Sequence, residues 1–221
     1  ILNSPANPTG GVVPQEELMK LAKGLEKFPN VFILSDEIYS RILFDGHKHS
    51  SLLTFPEVRD RVIVLDGWSK TYSMTGWRLG YGIFPKSIFK YAEKLAINCH
   101  SCISIPTQLA GIEALNGSQN SVNKMVQEFQ ERREFLVTEL NKIKDVSCVK
   151  PGGAFYVFPK INKDNQKSKD ISNFLLEKKF VATVPGSSFG TNGEGFLRIS
   201  YASKQENLKK FISLLNEYMN E

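Results

Sequence analysis

Long apolar runs are missing from this chain of 221 residues. None approaches the roughly 20 residues that a membrane-spanning helix needs, and no signal peptide opens the sequence. Cysteine is scarce. There are three, an odd number, which argues against a disulfide framework. Neither sign of charge dominates. The net charge is +5, and basic residues alternate with acidic ones, as in Lys124, Glu128, Glu131, Arg132, Arg133 and Glu134. That mixing reads as a solvated helix face rather than a nucleic-acid patch. Internal repeats and low-complexity segments are absent. Metal-ligand spacing is thin. Cys99-His100-Ser101-Cys102 lacks a second ligand pair, and His47-Lys48-His49 is an isolated pair in a polar loop, so both read as ordinary surface. These absences point away from nucleic acid, membrane and metal partners and toward a cytoplasmic chain. Apolar residues at 41% and charged residues at 23% suit a globular protein, and the length allows a sizeable core.

What is present begins abruptly. The chain opens with Ile1-Leu2 and runs at once into Asn3-Ser4-Pro5-Ala6-Asn7-Pro8-Thr9-Gly10. An apolar stub before a Pro/Gly-rich turn reads as the last residues of a strand. A natural domain seldom starts there, so the expectation is a longer protein whose N-terminal part precedes Ile1. Next, Pro14 with Glu16 and Glu17 starts a helix, and Leu18, Leu21, Ala22 and Leu25 form its apolar face. Val31-Phe32-Ile33-Leu34 reads as a strand buried on both faces, ending in Ser35-Asp36-Glu37-Ile38-Tyr39. Arg61 to Asp66 repeats the pattern and leads to Lys70, and Leu79 to Phe84 reads as a further strand.

Residues from about 86 to 116 read as helical, interrupted near Pro106. A long amphipathic helix is expected over roughly Ser121 to Lys144, with Val122, Met125, Val126, Phe129, Phe135, Leu136 and Leu140 at apolar positions. Strands are expected at Val146–Val149, Ala154–Phe158, Val181–Val184 and Phe196–Tyr201. A polar loop is expected over 162–169, helices at about 169–179 and from Lys204, and a loop at 185–190. The fold class is therefore α/β, a mostly parallel sheet flanked by helices plus a smaller C-terminal α/β domain. The division falls in the long helix, giving 1–120 and 121–221.

Four elements carry chemistry. Asn7 lies in an Asn-Pro-Thr-Gly turn after the first strand stub. Asp36 and Tyr39 follow the second strand, and Lys70 and Arg78 surround the end of the third. Arg198 lies in a C-terminal strand. Ligands of open α/β sheets bind outside the carboxyl ends of strands. A lysine there can form a Schiff base with a carbonyl when a dry, cationic site depresses its pKa. Taken singly each residue has an ordinary reading: a surface lysine, a helix-cap aspartate, a core tyrosine, a structural strand arginine. Their order and spacing distinguish them.

The segment Gly67-Trp68-Ser69-Lys70-Thr71-Tyr72-Ser73-Met74-Thr75-Gly76-Trp77-Arg78 resembles the lysine site of the fold-type I, class I and II aminotransferases. The resemblance extends from the Asn-Pro-Thr-Gly turn through Pro151-Gly152-Gly153-Ala154-Phe155-Tyr156 to Phe196-Leu197-Arg198-Ile199-Ser200. It implies pyridoxal 5'-phosphate (PLP) as cofactor and transamination between an amino acid and a 2-oxo acid by a homodimer. Residues 1–120 would be the remainder of the PLP-binding large domain, and 121–221 the small domain with its connecting helix. Lys70 would hold the cofactor covalently and act as general acid/base, and Asp36 would pair with the pyridine nitrogen. Tyr39 and Asn7 would hydrogen-bond the 3'-oxygen. Arg78 would bind the phosphate and Arg198 the substrate α-carboxylate. Asn3 and Ser4 read as structural.

Two departures stand out. Gly67 occupies a position where the superfamily often carries a serine hydroxyl for the phosphate, and Trp68 is bulkier than usual. The phosphate would then rely on backbone N–H groups and Arg78. The resemblance also assigns a Gly-rich phosphate turn, a stacking aromatic ring and a partner-subunit tyrosine to sequence before Ile1. Little tightly bound PLP, and self-association through bare sheet edges, are therefore expected of these 221 residues. A PLP-dependent lyase or cyclopropane-forming synthase of the same fold, or a non-catalytic fragment, are the alternatives. The donor stays open among aspartate, aromatic, alanine and kynurenine-type amino acids.

Overall fold

The computed structural model describes residues 1–163 and 166–221. It divides into two compact units. One comprises Ile1–Pro5 and Val12–Lys124, the other Ala6–Gly11 and Met125–Glu221.

The first unit is built on a four-stranded sheet in the order β1 (Leu2–Asn3), β2 (Ile33–Asp36), β3 (Val62–Gly67), β4 (Gly80–Ile83). The first three strands run parallel and β4 pairs antiparallel with β3. The strands follow one another in sequence order across the sheet, with β1 and β4 at the edges. Helix α1 (Gln15–Leu25) starts behind Pro14 in extended conformation, with Glu16 and Glu17 in its first turn and Lys23 in its last. Charges so placed complement the helix dipole. Leu18 and Ala22 are buried against Ile33, Val62, Val64 and the Leu52–Val58 segment, where short helix α2 (Pro56–Arg59) lies. Leu21, expected on the same face, is exposed because it falls at the edge of the stripe.

The second strand differs from expectation. Val31 and Phe32 are exposed, and β2 begins at Ile33 with alternating burial rather than both faces covered. The reason is a turn. Val31 N donates to Phe28 O at 3.1 Å. The Arg61 guanidinium donates to the carbonyls of Leu25, Phe28 and Val31 at 2.8, 2.7 and 2.9 Å, which holds this stretch off the sheet. The helical stretch breaks at 101–104, between α4 (Lys86–His100) and α5 (Ile105–Asn116). Pro106 sits in the first turn of α5, where its missing N–H costs nothing.

Helix α6 (Asn120–Leu140) ends before Lys144. The Asn141 side chain accepts from Cys148 N at 2.8 Å and donates to Cys148 O at 3.0 Å, turning the chain back early. Arg133 in this helix is fully buried, contrary to the solvated face expected of its charge cluster. The second unit carries two short sheets. β5 (Val146–Ser147) pairs with an unforeseen β7 (Lys160–Ile161), and β6 (Tyr156–Val157), β9 (Leu197–Ser200) and β8 (Val184–Pro185) form the other. The expected strand at 181–184 is thus reduced to a start at Val184, and the 185–190 loop winds into a 3-10 turn over Gly186–Phe189. Helices α7 (Ser168–Lys179) and α8 (Gln205–Asn220) complete the unit. Of the loop expected over 162–169, Asp164 and Asn165 lie outside the described residues.

Candidate active site

In the first unit the register of β2 against β3 pairs Asp36 with Leu65. Two residues past Leu65 the strand ends at Gly67, and helix α3 (Trp68–Thr71) begins at once with Lys70 in it. Asp36 and the lysine-bearing turn therefore leave the same end of the sheet, the carboxyl end of two parallel inner strands. Asp36 is held from both sides. Its main-chain oxygen accepts from Asn3 Nδ2 at 3.0 Å and Ser4 N at 3.3 Å, and its Oδ1 accepts from Ile38 N at 3.2 Å. Asn3 and Ser4 are structural, as expected; Ser4 Oγ also accepts from Val13 N at 3.0 Å.

Lys70 is half-buried. The far end of its turn is tied down by Tyr72, whose hydroxyl donates to Gln119 Oε1 at 3.2 Å and accepts from Arg41 Nη1 at 3.2 Å. Tyr39, in the turn after β2, is only 3% exposed. Arg78 is exposed. It adopts a left-handed conformation with φ 55° and ψ 45°, and its Nη1 donates to Thr75 O at 2.8 Å. An arginine pays a steric cost in that region, which is seldom met without a reason in the surrounding chain.

Gly67 explains its own identity. A Cβ built there would lie 2.9 Å from both Gly80 Cα and Leu79 O. The close approach of β3 and β4 leaves no room for the serine that the resemblance would favour.

Sequence reasoning missed Asp66. Its Oδ2 accepts from Ser40 Oγ at 3.2 Å and from Tyr81 at 3.4 Å, and its Oδ1 accepts from Gly67 N at 2.6 Å. Burial nevertheless pushes its carboxyl above the ordinary carboxylate range. A polar residue closing the apolar run Val62–Leu65 was the available signal. His49 also differs from its reading as plain surface. Its Nε2 lies 2.7 Å from Oε2 of the buried Glu37. Among the described residues no group of three or more His, Cys, Asp or Glu could hold a metal ion.

The second unit contains the other two candidates, and they touch. Arg198 Nη1 donates to Asn7 Oδ1 at 2.9 Å. The Arg198 guanidinium also lies 4.6 Å from the Tyr156 ring centroid and 5.1 Å from that of Phe189. Aromatic faces on a guanidinium fix its plane and leave its edge for a planar oxyanion. Tyr156 closes one of the segments that carry the resemblance, but neither it nor Phe189 was given a role there.

The donor set of the first unit fits a phosphorylated pyridine aldehyde. It offers an amine for a carbonyl, a carboxylate for a ring nitrogen, a phenol for a ring oxygen and a guanidinium for a phosphate, all in segments that follow neighbouring strands. The sequence model for aminotransferase class I and II matches residues 1–215. The chain belongs to that family. Its members generally use PLP.

Among curated relatives, an aspartate/prephenate aminotransferase of Nitrosomonas europaea is 39% identical over 232 residues, covering 98% of this chain and 58% of its own length. An aspartate aminotransferase of Pyrococcus horikoshii is 38% identical, covering 94% of this chain and 53% of its own. Among solved structures, an aromatic aminotransferase of Pyrococcus horikoshii superposes with a TM-score of 0.94 at 35% identity, over 99% of this chain and 59% of that one. An aspartate aminotransferase of Rhizobium meliloti gives 0.93 at 34% identity, over 99% and 57%. The chain spans about half the length of the curated relatives it matches.

Proposed function

We propose that this chain supplies the lysine-bearing part of a PLP-dependent aminotransferase, which moves an amino group from an amino acid to a 2-oxo acid. The observation that carries the reading is the Asp36–Leu65 register, which brings a carboxylate and the lysine turn to one end of the sheet in a member of this family. When bound, the cofactor supplies an electron sink that makes the substrate α-carbon acidic. Lys70 holds it through Nζ and moves the proton at the α-carbon. Asp36 keeps a proton on the ring nitrogen, and Tyr39 and Asn7 donate hydrogen bonds to the ring oxygen. Arg78 binds the phosphate as a planar fork, and Arg198 binds the α-carboxylate.

Residues 1–120 then form the remainder of the cofactor-binding large domain and 121–221 the small domain, in a homodimer. Three free cysteines support a reducing, cytoplasmic setting.

The test, made on the full-length protein, is borohydride reduction at saturating PLP followed by peptide mapping. The label is expected on Lys70 ahead of the other lysines and lost in Lys70→Ala. Even labelling across surface lysines would refute the role. Incubation with an amino acid, with and without 2-oxoglutarate, separates transfer from lyase chemistry, because a lyase turns over without an acceptor.

A further inference from the structure

Arg133 is the largest fully buried side chain among the described residues, at 0% exposure in the middle of α6. A guanidinium is costly to bury unless it is paired and hydrogen-bonded. Its charge is balanced by Glu134, whose Oε1 also meets Lys150 Nζ at 2.7 Å. Its Nη1 donates to the carbonyl of Pro151 at 2.8 Å, a buried bond across 18 residues of sequence.

Pro151 opens a turn that leads in two directions. Gly152 N and Gly153 N both donate to Gly10 O at 3.0 Å. Gly10 has φ +67°, and a Cβ there would lie 2.4 Å from Pro151 Cβ and 2.8 Å from Gly153 O, so the two turns are pressed together with no space between them. Gly10 N donates to Ala6 O at 2.8 Å and Ala6 N to Gly11 O at 2.9 Å, closing a small loop around Asn7. Asn7 Oδ1 is the acceptor for Arg198. In the other direction the turn passes through Ala154, at φ 59°, whose carbonyl accepts from the buried Tyr201 hydroxyl at 3.1 Å. Two residues on is Tyr156, whose ring lies against the Arg198 guanidinium. Of the three groups that surround Arg198, both Asn7 and Tyr156 hang on the turn that Arg133 grips.

We infer that Arg133 is a positioning residue for the Asn7–Arg198 pair, acting through the Pro151–Tyr156 segment. It touches no substrate. It sets where the Arg198 fork points, and so how well a carboxylate is gripped. The carboxylate part rests on the role proposed for Arg198; the coupling of Arg133 to Asn7 does not.

The experiment compares the 221-residue chain with Arg133→Lys, Arg133→Gln, Gly10→Ala and Arg198→Ala. The readouts are amide exchange at Gly10, Gly152 and Gly153, the side-chain NMR signals of Asn7 and Arg198, and calorimetric binding of 2-oxoglutarate. In folded Arg133→Gln, exchange at Gly152 and Gly153 is expected to rise about tenfold or more. The Asn7 and Arg198 signals should shift, and 2-oxoglutarate affinity should fall about tenfold, as small misplacements of a binding group do. Arg133→Lys, which keeps a charge and a donor, should recover part of each effect. Arg198→Ala should lose binding with exchange at Gly152 and Gly153 unchanged.

A folded Arg133→Gln with wild-type exchange and wild-type Asn7 signals overturns the proposal. If Arg133→Gln does not fold, Gly10→Ala decides, since it leaves Arg133 in place and wedges the turns apart. Wild-type Asn7 and Arg198 signals in that variant overturn the proposal equally. If neither the wild-type chain nor Arg198→Ala binds 2-oxoglutarate, carboxylate binding by these 221 residues alone is ruled out, and the exchange and side-chain signals still judge Arg133.

Discussion

Gly67→Ala tests whether the strand contact beneath the lysine turn is as tight as the structure makes it. The added Cβ would lie 2.9 Å from Gly80 Cα and 2.9 Å from Leu79 O, where ordinary contact begins at 3.4 Å. Each must yield by about 0.5 Å. Both are backbone atoms, and Gly80 is the direct partner of Gly67 in the β3–β4 register, so no side chain can swing away to relieve the clash. Overpacking of this kind costs about 1–3 kcal/mol. Gly67 has an extended backbone at φ 174°, which any residue adopts. Removing glycine's freedom in the unfolded chain therefore returns about 0.4–1 kcal/mol. Taking central values of about 2 and about 0.7 kcal/mol, the expected net loss is about 1.3 kcal/mol, or a fall in Tm of roughly 3–5 °C for a chain of this size.

A second effect follows from Leu79 O. It accepts from Trp68 N at 3.3 Å, the bond that begins the turn holding Lys70. Moving that oxygen loosens α3, so PLP labelling of Lys70 should weaken along with stability. Urea unfolding followed by far-UV circular dichroism measures the first effect and borohydride labelling the second. Gly67→Ser should cost at least as much and add no useful phosphate donor. A Gly67→Ala chain as stable as the parent would show that β4 gives way freely and would refute the reasoning.

Two other perturbations have defined signs. The Asp66 carboxyl is raised above 3.8, chiefly by burial, against hydrogen bonds from Gly67, Ser40 and Tyr81 that lower it. The folded state thus holds this proton more tightly than the unfolded state, and between 3.8 and the raised value stability falls as pH rises. Asp66→Asn keeps the acceptor for Gly67 N and removes the buried charge. Its stability relative to the parent should therefore improve from about pH 3.5 to about pH 7; a difference independent of pH would count against it. Burial also pushes the Cys148 thiol up to about 12, while Cys99 and Cys102 are exposed. A thiol reagent at about pH 8 should modify Cys99 and Cys102 promptly and Cys148 only on unfolding; equal rates at all of them would contradict the burial.

The parts of the fold legible in the sequence are those set by local pattern. Apolar runs closing in polar residues marked the ends of β2 and β3, and with them Asp36 and Lys70. Arg133 was misread because charge mixing in α6 masked its position. It stands four residues after Phe129 and three before Leu136, on the line of the helix that also carries the buried Val122 and Leu140. That spacing was the available signal. The late start of β2 had no local signal, since it depends on Arg61 reaching carbonyls about 30 residues earlier in the chain. The pairing of His49 with Glu37 is equally non-local. In the second unit the ladders are two residues long in most strands, too short for alternation to define their ends.

Asp36 and Glu37 show how one strand end serves two environments. Side chains alternate along a strand, so adjacent carboxylates must face opposite ways. Glu37, 6% exposed, turns inward. There its Oε1 accepts from Ser35 Oγ at 2.9 Å and Ser51 Oγ at 2.8 Å, and its Oε2 meets His49 at 2.7 Å. Asp36 takes the other face. A slip of β2 by one residue would exchange the two. Asp36, one methylene shorter, would face the polar pocket built for Glu37, and the glutamate would leave its three partners. An ionised carboxylate stripped of buried donors is among the costlier defects a core can hold. The Ser35–His49–Ser51 cluster therefore does more than satisfy one buried acid: it fixes the register that delivers Asp36 to the end of the sheet where the lysine turn begins.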